Sequence, residues 1–131
     1  MDLDALEELY MGQNKLSKIE ANVFQYLKNL KHLNLSSNQI NQVDSNGFKG
    51  LLHLEELNLK ENRFTKLNLN LFKHLLSLKY LDLRKNKMRK IKCDECRGFE
   101  NLEILDLSQN ELVIIEMSMF QNVEKLQVEY D

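Results

Sequence analysis

The chain has 131 residues, of which 43% are hydrophobic, and a formal net charge of −2. This composition is typical of one soluble globular domain and excludes a disordered or membrane-spanning chain. No apolar run approaches the roughly 18 residues of a membrane helix, the N-terminus lacks the segments of a signal peptide, and the near-neutral charge gives no general case for nucleic acid binding.

The pattern L-x-x-L-x-L-x-x-N-x-L occurs five times along the chain, at an interval of 24 residues. The copies start at Leu6, Leu30, Leu54, Leu78 and Leu102. Each continues with an apolar residue (Ile19, Val43, Leu67, Ile91, Ile115), then with Phe24, Phe48, Phe72, Cys96 or Phe120, and then with Leu27, Leu51, Leu75, Phe99 or Val123. The L-x-L alternation predicts short parallel strands with one inward face. Because one copy cannot bury its own leucines, the copies are expected to stack as turns of a solenoid.

Both ends of the chain are expected to interrupt this pattern. Leu3 is in phase with Leu27, so the chain opens on the tail of an earlier turn. Residues 123–131 predict a partial sixth turn in which Leu126 takes the strand position of Leu105. The apolar positions of that turn are Val123, Leu126 and Val128. We expect residues 1–131 to form one domain. Because uncapped solenoids expose apolar ends, this domain is expected to be either a fragment of a longer protein or a unit whose ends meet other chains.

One polar position recurs in all five copies, where each strand must bend into a loop. It is occupied by Asn14, Asn38, Asn62, Asn86 and Asn110. An amide side chain offers both donors and an acceptor. Since the sequence contains no proline and only four glycines, we expect a stacked ladder of these asparagines to take over the role of turn residues and to satisfy buried backbone groups.

The repeat resembles the leucine-rich repeat family over residues 6–125. The 24-residue interval with Phe at its nineteenth position is similar to the extracellular subtype of Toll-type receptors, insect leucine-rich immune proteins, variable lymphocyte receptors and neuronal adhesion proteins. The resemblance implies an α/β solenoid, coiled right-handed, with a concave parallel β-sheet and a convex side of irregular, 3-10 and short helical segments. It also implies an extracellular setting, with innate immunity as one context. The chain departs from the subtype because it lacks the loop proline and the cysteine-rich caps.

Cys93 and Cys96, the only cysteines, are spaced C-x-x-C in the fourth turn. Zinc needs about four ligands, whereas the three histidines are scattered over other turns, so no metal site is predicted. A redox pair requires a βαβ context that this pattern does not offer. The favoured interpretation is a local disulfide, which implies an oxidising compartment; the alternative is two buried, reduced thiols that act as small hydrophobic residues.

The side chains between the leucines are expected to line the concave sheet, which is the surface that solenoids use for binding. The predicted partner-binding residues are Tyr10, His32, Glu56, Asn58, Lys60, Tyr80, Asp82, Arg84, Ile104 and Asp106. Among them, Tyr80 and Ile104 are neighbours in one column beside Arg84, and aromatic, apolar and Arg side chains commonly anchor protein interfaces. The alternative is that these are ordinary solvated sheet residues.

Two further surface features bear on partners. The run RKNKMRKIK, residues 84–92, is either a site for an acidic partner or anionic polysaccharide or a solvated face; no aromatic residues interleave with it, so nucleic acid is not expected. Asn34 begins an N-glycosylation sequon on a concave strand. A glycan there would direct a partner to a flank or to the opposite end of the sheet.

No phosphate-binding loop, nucleophile elbow or zinc-protease motif is present, and Asp82 and Asp106 lack the cleft that acid–base catalysis requires. We therefore predict a non-enzymatic protein-recognition module without a cofactor, part of an extracellular receptor or secreted protein. The alternatives are a module that forms homo-oligomers through its concave face or ends, and an intracellular scaffold, which would have reduced cysteines and an unmodified Asn34.

Overall fold

The computed structural model describes residues 3–92, 99–113, 120 and 126–130. In this part of the chain, ten short strands and one 3-10 helix follow one another. The strands are β1 (Glu8–Tyr10), β2 (Lys18–Ile19), β3 (His32–Asn34), β4 (Gln42–Val43), β5 (Glu56–Asn58), β6 (Lys66–Asn68), β7 (Tyr80–Asp82), β8 (Lys90–Lys92), β9 (Ile104–Asp106) and β10 (Gln127–Glu129), and the 3-10 helix is Leu69–Phe72.

The main sheet is parallel and has the strand order β1-β3-β5-β7-β9-β10. From β1 to β9, each strand pairs with the one 24 residues later, as Glu56 with Tyr80 and Tyr80 with Ile104. The central residue of each strand points inward, and Leu57 and Leu81 are completely buried. The register thus equals the sequence interval, and the predicted solenoid with a parallel sheet is confirmed.

The opposite side of each turn contains little regular structure. Two small parallel sheets, β2–β4 and β6–β8, follow the loops and bury Ile19, Leu67 and Ile91. The 3-10 helix is capped by Asn68, whose side chain accepts a hydrogen bond from the backbone N–H of Asn70. The described residues contain no α-helix, so the helical share of the expected α/β class is limited to this 3-10 segment and the turns beside it.

The sixth strand, β10, pairs with β9 in a register that differs from the expected one. Val128, and not Leu126, lies beside Leu105, so the interval is 23 residues where the expected pairing gave 21. A shift of two residues leaves the same side chains facing the core, and both Leu126 and Val128 do pack against it. The hydrophobic pattern therefore could not distinguish the two registers, and our assignment of Leu126 to this position was wrong.

Aromatic rings connect the turns through the middle of the core. The ring centroids of Phe24 and Phe48 are 6.4 Å apart, and those of Phe48 and Phe72 are 5.6 Å apart, both in stacked arrangements. The next ring is that of Phe99, 6.3 Å from Phe72 and tilted by 41°. Phe99 stands in the column of Leu75, so the fourth turn, whose Cys96 replaces the column phenylalanine, contributes a ring from a different position. Cys96 itself lies outside the described residues.

Candidate protein-binding surface

The asparagine column fixes the end of each strand through hydrogen bonds that cross between turns. The side-chain amide of Asn62 donates to the carbonyl of Leu35 in the preceding turn and to that of Leu59 in its own, both at 3.0 Å. Its Oδ1 accepts from the N–H of Ile40 at 3.0 Å. Asn38, Asn86 and Asn110 make the equivalent bonds. The exposed Asn14 bonds only within its own turn, to Met11 and Gly12.

The residue before each asparagine adopts the left-handed conformation, with φ between +54° and +58°. These residues are Gln13, Ser37, Glu61, Lys85 and Gln109. Left-handed backbone is costly for residues other than glycine, by roughly 1–2 kcal/mol. Because none of the five is a glycine, the hydrogen bonds of the asparagine column must stabilise this bend. These bonds thereby set the direction in which the side chains of the concave face project from the sheet.

A second polar column closes the strand ends on the concave face. The side-chain oxygens of Asn58, Asp82 and Asp106 each accept a hydrogen bond at 3.0 Å from the backbone N–H two residues later. Asp82 and Asp106 are only 2% and 4% exposed. The two aspartates were predicted to contact a partner directly, but their burial leaves almost no surface for such contact. Their role is to hold the neighbouring arginine.

Arg84 is the side chain that these carboxylates hold. Its Nε lies 3.0 Å from Asp82 Oδ1 and its Nη2 lies 2.8 Å from Asp82 Oδ2, which is a two-point contact. Asp106 Oδ2 is 3.4 Å from the same Nε. The hydrogen bond with Asp82 raises the pKa of Arg84 further above its ordinary value. With 37% of its side chain exposed, Arg84 is a fixed, permanently charged group at the sheet surface.

Tyr80 and Ile104 lie side by side on β7 and β9, next to this arginine. Both are half-buried. Burial, followed by the charge of Asp82, raises the pKa of Tyr80, so its hydroxyl stays neutral and can donate a hydrogen bond. Tyr80, Arg84 and Ile104 together form what we name the concave patch. Gln127 of β10 borders it beside Ile104; this residue was not predicted, because the register assigned to β10 from the sequence was wrong.

Tyr10, His32, Glu56 and Lys60, which were also predicted to bind a partner, lie toward the opposite end of the sheet and pair with neighbouring side chains. His32 Nδ1 is 3.0 Å from Glu56 Oε2, and the hydroxyl of Tyr10 donates to Glu8 at 3.0 Å, which raises the pKa of Tyr10. Lys60 Nζ lies 3.9 Å from Glu61. Tyr10 and Tyr80 are three strands apart, or roughly 14 Å at 4.8 Å per strand. The structure therefore divides the predicted surface into a polar half and the concave patch.

A second ladder of hydrogen-bonding side chains, in the segment before each main-sheet strand, was also not predicted from the sequence. Each member donates to the backbone carbonyl 25 residues earlier. The pairs are Asn29 with Asp4 (2.6 Å), His53 with Lys28 (2.7 Å), Ser77 with Leu52 (3.0 Å) and Asn101 with Leu76 (2.8 Å). The signal was present in the sequence as a column of hydrogen-bonding side chains immediately before the first leucine of the last four copies. This ladder is structural and gives His53 a defined role in the fold.

Comparison with known proteins supports the repeat solenoid as the fold of this chain. The family model described as leucine rich repeat matches residues 1–40, 29–88 and 52–112. The chain belongs to the leucine-rich repeat family. Among solved structures, this leucine-rich repeat chain is similar to TLR13 in its crystal structure with ssRNA13, at 28% sequence identity and a TM-score of 0.86. The likeness covers 95% of this chain but 18% of the TLR13 chain, so the chain spans less than a fifth of that protein. No curated protein sequence matches.

The predicted family, and its likeness to Toll-type ectodomains, are thereby confirmed. The leucine-rich repeat fold is that of a protein-interaction module. None of the helical segments in the described ranges has the length and apolar character needed to cross a bilayer. Over those same ranges, no three His, Cys, Asp or Glu side chains are grouped to hold a metal ion.

Proposed function

We propose that this leucine-rich repeat chain recognises a protein ligand and that the concave patch is its anchor. The observation that carries the proposal is the arrangement of Tyr80 and Ile104 beside Arg84, which two buried aspartates hold in place. Aromatic and Arg side chains dominate the binding energy of protein interfaces. Because Arg84 is already fixed, it loses little conformational freedom when a partner binds, and such preorganisation increases affinity.

In a chain whose Asn34 carries no glycan, the polar half of the sheet is proposed to form the rim of this interface. Tyr10, His32, Glu56, Asn58 and Lys60 are exposed or half-buried, and rim contacts of this kind contribute to specificity and association rate more than to affinity. Asn34 lies among them on β3. Its Oδ1 accepts hydrogen bonds from the N–H and the hydroxyl of Ser36, at 2.9 and 2.6 Å. A glycan on Asn34 would cover this half and leave the partner the end of the sheet that contains the concave patch.

The proposed setting is extracellular, as part of a receptor ectodomain or a secreted binding protein with a role in innate immunity. The support is the likeness to TLR13. The TLR13 structure contains single-stranded RNA, whereas the concave patch of this chain offers one aromatic ring and one cation, Arg84, which is already paired with Asp82 and Asp106. Base stacking on successive aromatic rings is the usual basis of single-strand binding. We therefore propose a protein ligand and treat RNA binding as the outcome that would contradict it.

Self-association is the second candidate function, and exposed apolar side chains of the first turn favour it. Val23 and Tyr26 are 58% and 67% exposed. Exposed apolar surface of this kind marks sites of association. This candidate predicts a size in solution that increases with protein concentration, whereas recognition of a foreign protein predicts a stable monomer.

Replacing Tyr80 and Ile104 together with alanine should weaken the binding of the protein partner by about 2–4 kcal/mol, which is 30-fold or more. The matched control replaces Tyr26 and Leu52 with alanine, since these side chains are also apolar and are 67% and 53% exposed on other faces of the solenoid. Calorimetry with partner captured from the native extracellular fluid would measure both. Equal affinities of the wild type and the Tyr80→Ala/Ile104→Ala variant would eliminate the concave patch as the anchor.

The extracellular setting has its own test, the intact mass of protein from its native source after alkylation without reductant. We expect Cys93 and Cys96 to remain unalkylated, because a disulfide joins them, and a glycan mass to be attached at Asn34. Treatment with reductant before alkylation is the control that shows both thiols can react. Two alkylated cysteines and no glycan would contradict this setting and favour an intracellular scaffold.

A further inference from the structure

The loop-side flank of the third and fourth turns presents a cluster of cations apart from the concave patch. The cluster, which we name the basic flank, consists of Arg63, Lys66, Lys87, Arg89 and Lys90. All five are exposed. Lys66 lies directly beside Lys90 in the β6–β8 pair, while the backbone N–H groups of Lys87 and Arg89 bond to the carbonyls of Phe64 and Thr65 in the preceding turn. Two adjacent turns therefore place their positive charges on one surface.

This concentration of charge is greatest in two adjacent turns. In the columns of Arg63 and Lys66 the second turn has Gln39 and Gln42, and the fifth turn has Glu111 in the column of Arg63. The first turn has Lys15 and Lys18 there, separated from the basic flank by the second turn, and Lys18 is paired with Glu20 at 3.2 Å. None of the five residues of the basic flank forms an ion pair with an acidic side chain in the described part of the chain, where the ion pairs involve other residues. Like charges directly opposite each other in a sheet are destabilising. The chain thus maintains an internal repulsion that an external polyanion would relieve.

The chemistry of the basic flank points to one kind of polyanion. No exposed aromatic side chain lies in its columns, so it lacks the stacking platforms that bind single-stranded nucleic acid and the aromatic anchors typical of protein interfaces. It offers instead long, flexible cations at spacings set by the strands, about 4.8 Å across the pair and roughly 7 Å between alternate residues. Basic clusters of this kind suit densely charged sulfated chains.

We propose that the basic flank binds a linear sulfated polysaccharide. Its lysines and arginines neutralise successive sulfate groups, and binding releases the counterions that accompany them, so the affinity falls as salt concentration rises. The concave patch lies on a different surface and stays free for a protein ligand. The physiological setting, but not the binding itself, rests on the proposed extracellular location, because sulfated polysaccharides are found outside cells.

The test is binding of the chain to heparin at 150 mM NaCl, compared with heparin whose sulfates have been removed. The basic-flank variant carries Arg63→Gln, Lys66→Gln, Lys87→Gln and Lys90→Gln. The second turn already has glutamine in both of these columns, at Gln39 and Gln42, so the substitutions should fit the fold. The control variant loses four exposed positive charges in other columns, through Lys28→Gln, Lys31→Gln, Lys49→Gln and Lys73→Gln.

We expect the wild type and the control variant to bind heparin similarly, and the basic-flank variant to bind about tenfold or more weakly with a shallower salt dependence. Because the repulsion between Lys66 and Lys90 is removed, its melting temperature should not fall. The Tyr80→Ala/Ile104→Ala variant should keep full heparin binding, which separates this proposal from the proposed function. If the four changes impair folding, the pair Lys87→Gln and Lys90→Gln provides the same comparison.

Three results would overturn the proposal. The wild type could fail to bind heparin at this salt concentration, or bind the desulfated chain equally well. The control variant could lose as much affinity as the basic-flank variant, which would indicate an effect of net charge alone. An RNA of equal length could bind more tightly than heparin through the same four residues, which would assign the basic flank to nucleic acid.

Discussion

Replacing Asn62 with alanine is expected to lower the free energy of unfolding by about 3 kcal/mol or more. The substitution leaves the carbonyls of Leu35 and Leu59 and the N–H of Ile40 without their partner, and each buried, unsatisfied polar group costs about 1–3 kcal/mol. The melting temperature should fall by about 10 °C for a chain of this length. Chemical denaturation, with the melting temperature as a second readout, would measure the effect.

Asn14 provides the matched control for this prediction. It occupies the same column, but it is exposed and bonds only to Met11 and Gly12 in its own turn. Since water can satisfy those two carbonyls, Asn14→Ala should cost about 0.5 kcal/mol. Equal losses for the two variants would show that the cross-turn hydrogen bonds contribute little, and that the column acts only by allowing the local bend.

Replacing Phe72 with alanine is expected to destabilise the chain by about 4 kcal/mol, because it opens a cavity between two neighbouring rings. Phe72 is completely buried and lies 5.6 Å from Phe48 and 6.3 Å from Phe99. The loss of stability should appear as a lower midpoint concentration of denaturant. The slope, which is the dependence of the unfolding free energy on denaturant concentration, should be unchanged. A lower slope would instead indicate that the turns had begun to unfold independently.

Phe24→Ala is the comparison for this second prediction. Phe24, in the first turn, stacks on only one described ring, that of Phe48, and is 7% exposed. The surrounding turn can collapse more readily there, so the cost should be about 2 kcal/mol. A cost equal to that of Phe72→Ala would mean that stability does not depend on stacking between turns.

Much of the fold could be predicted from the sequence, because the two-residue alternation within each strand and the 24-residue interval between copies both indicate the same stacked parallel strands. The 24-residue interval reappears as the strand register from β1 to β9, and Asn38, Asn62 and Asn86 make the same bonds in successive turns. The register of β10 did not follow, because a two-residue shift keeps Val128 inward and changes only the backbone pairing. The stacking role of Phe99 was visible only in the structure, since the other copies have leucine or valine in its column.

The candidate site was less predictable than the fold. Alternation in a strand places Asp82 and Asp106 on the outer face, and an outer carboxylate is normally exposed. Both are buried here because Arg84 covers them and backbone N–H groups bond to them. A local sequence pattern does not contain that information, since it depends on how a long side chain folds back over its neighbours. Cys93 and Cys96 lie outside the described residues, so their disulfide stays a prediction.

Site-specific photo-crosslinking tests the central proposal, recognition of a protein through the concave patch, most directly. A photoreactive residue would replace Gln127, which is exposed and borders the concave patch, in one sample and Leu76, 56% exposed on another face, in a second sample, each incubated with the native extracellular fluid. We predict a protein adduct at position 127 and none at position 76, prevented by excess wild type but not by the Tyr80→Ala/Ile104→Ala variant. Adducts only with other copies of the chain or with RNA, or equal adducts at both positions, would contradict the proposal.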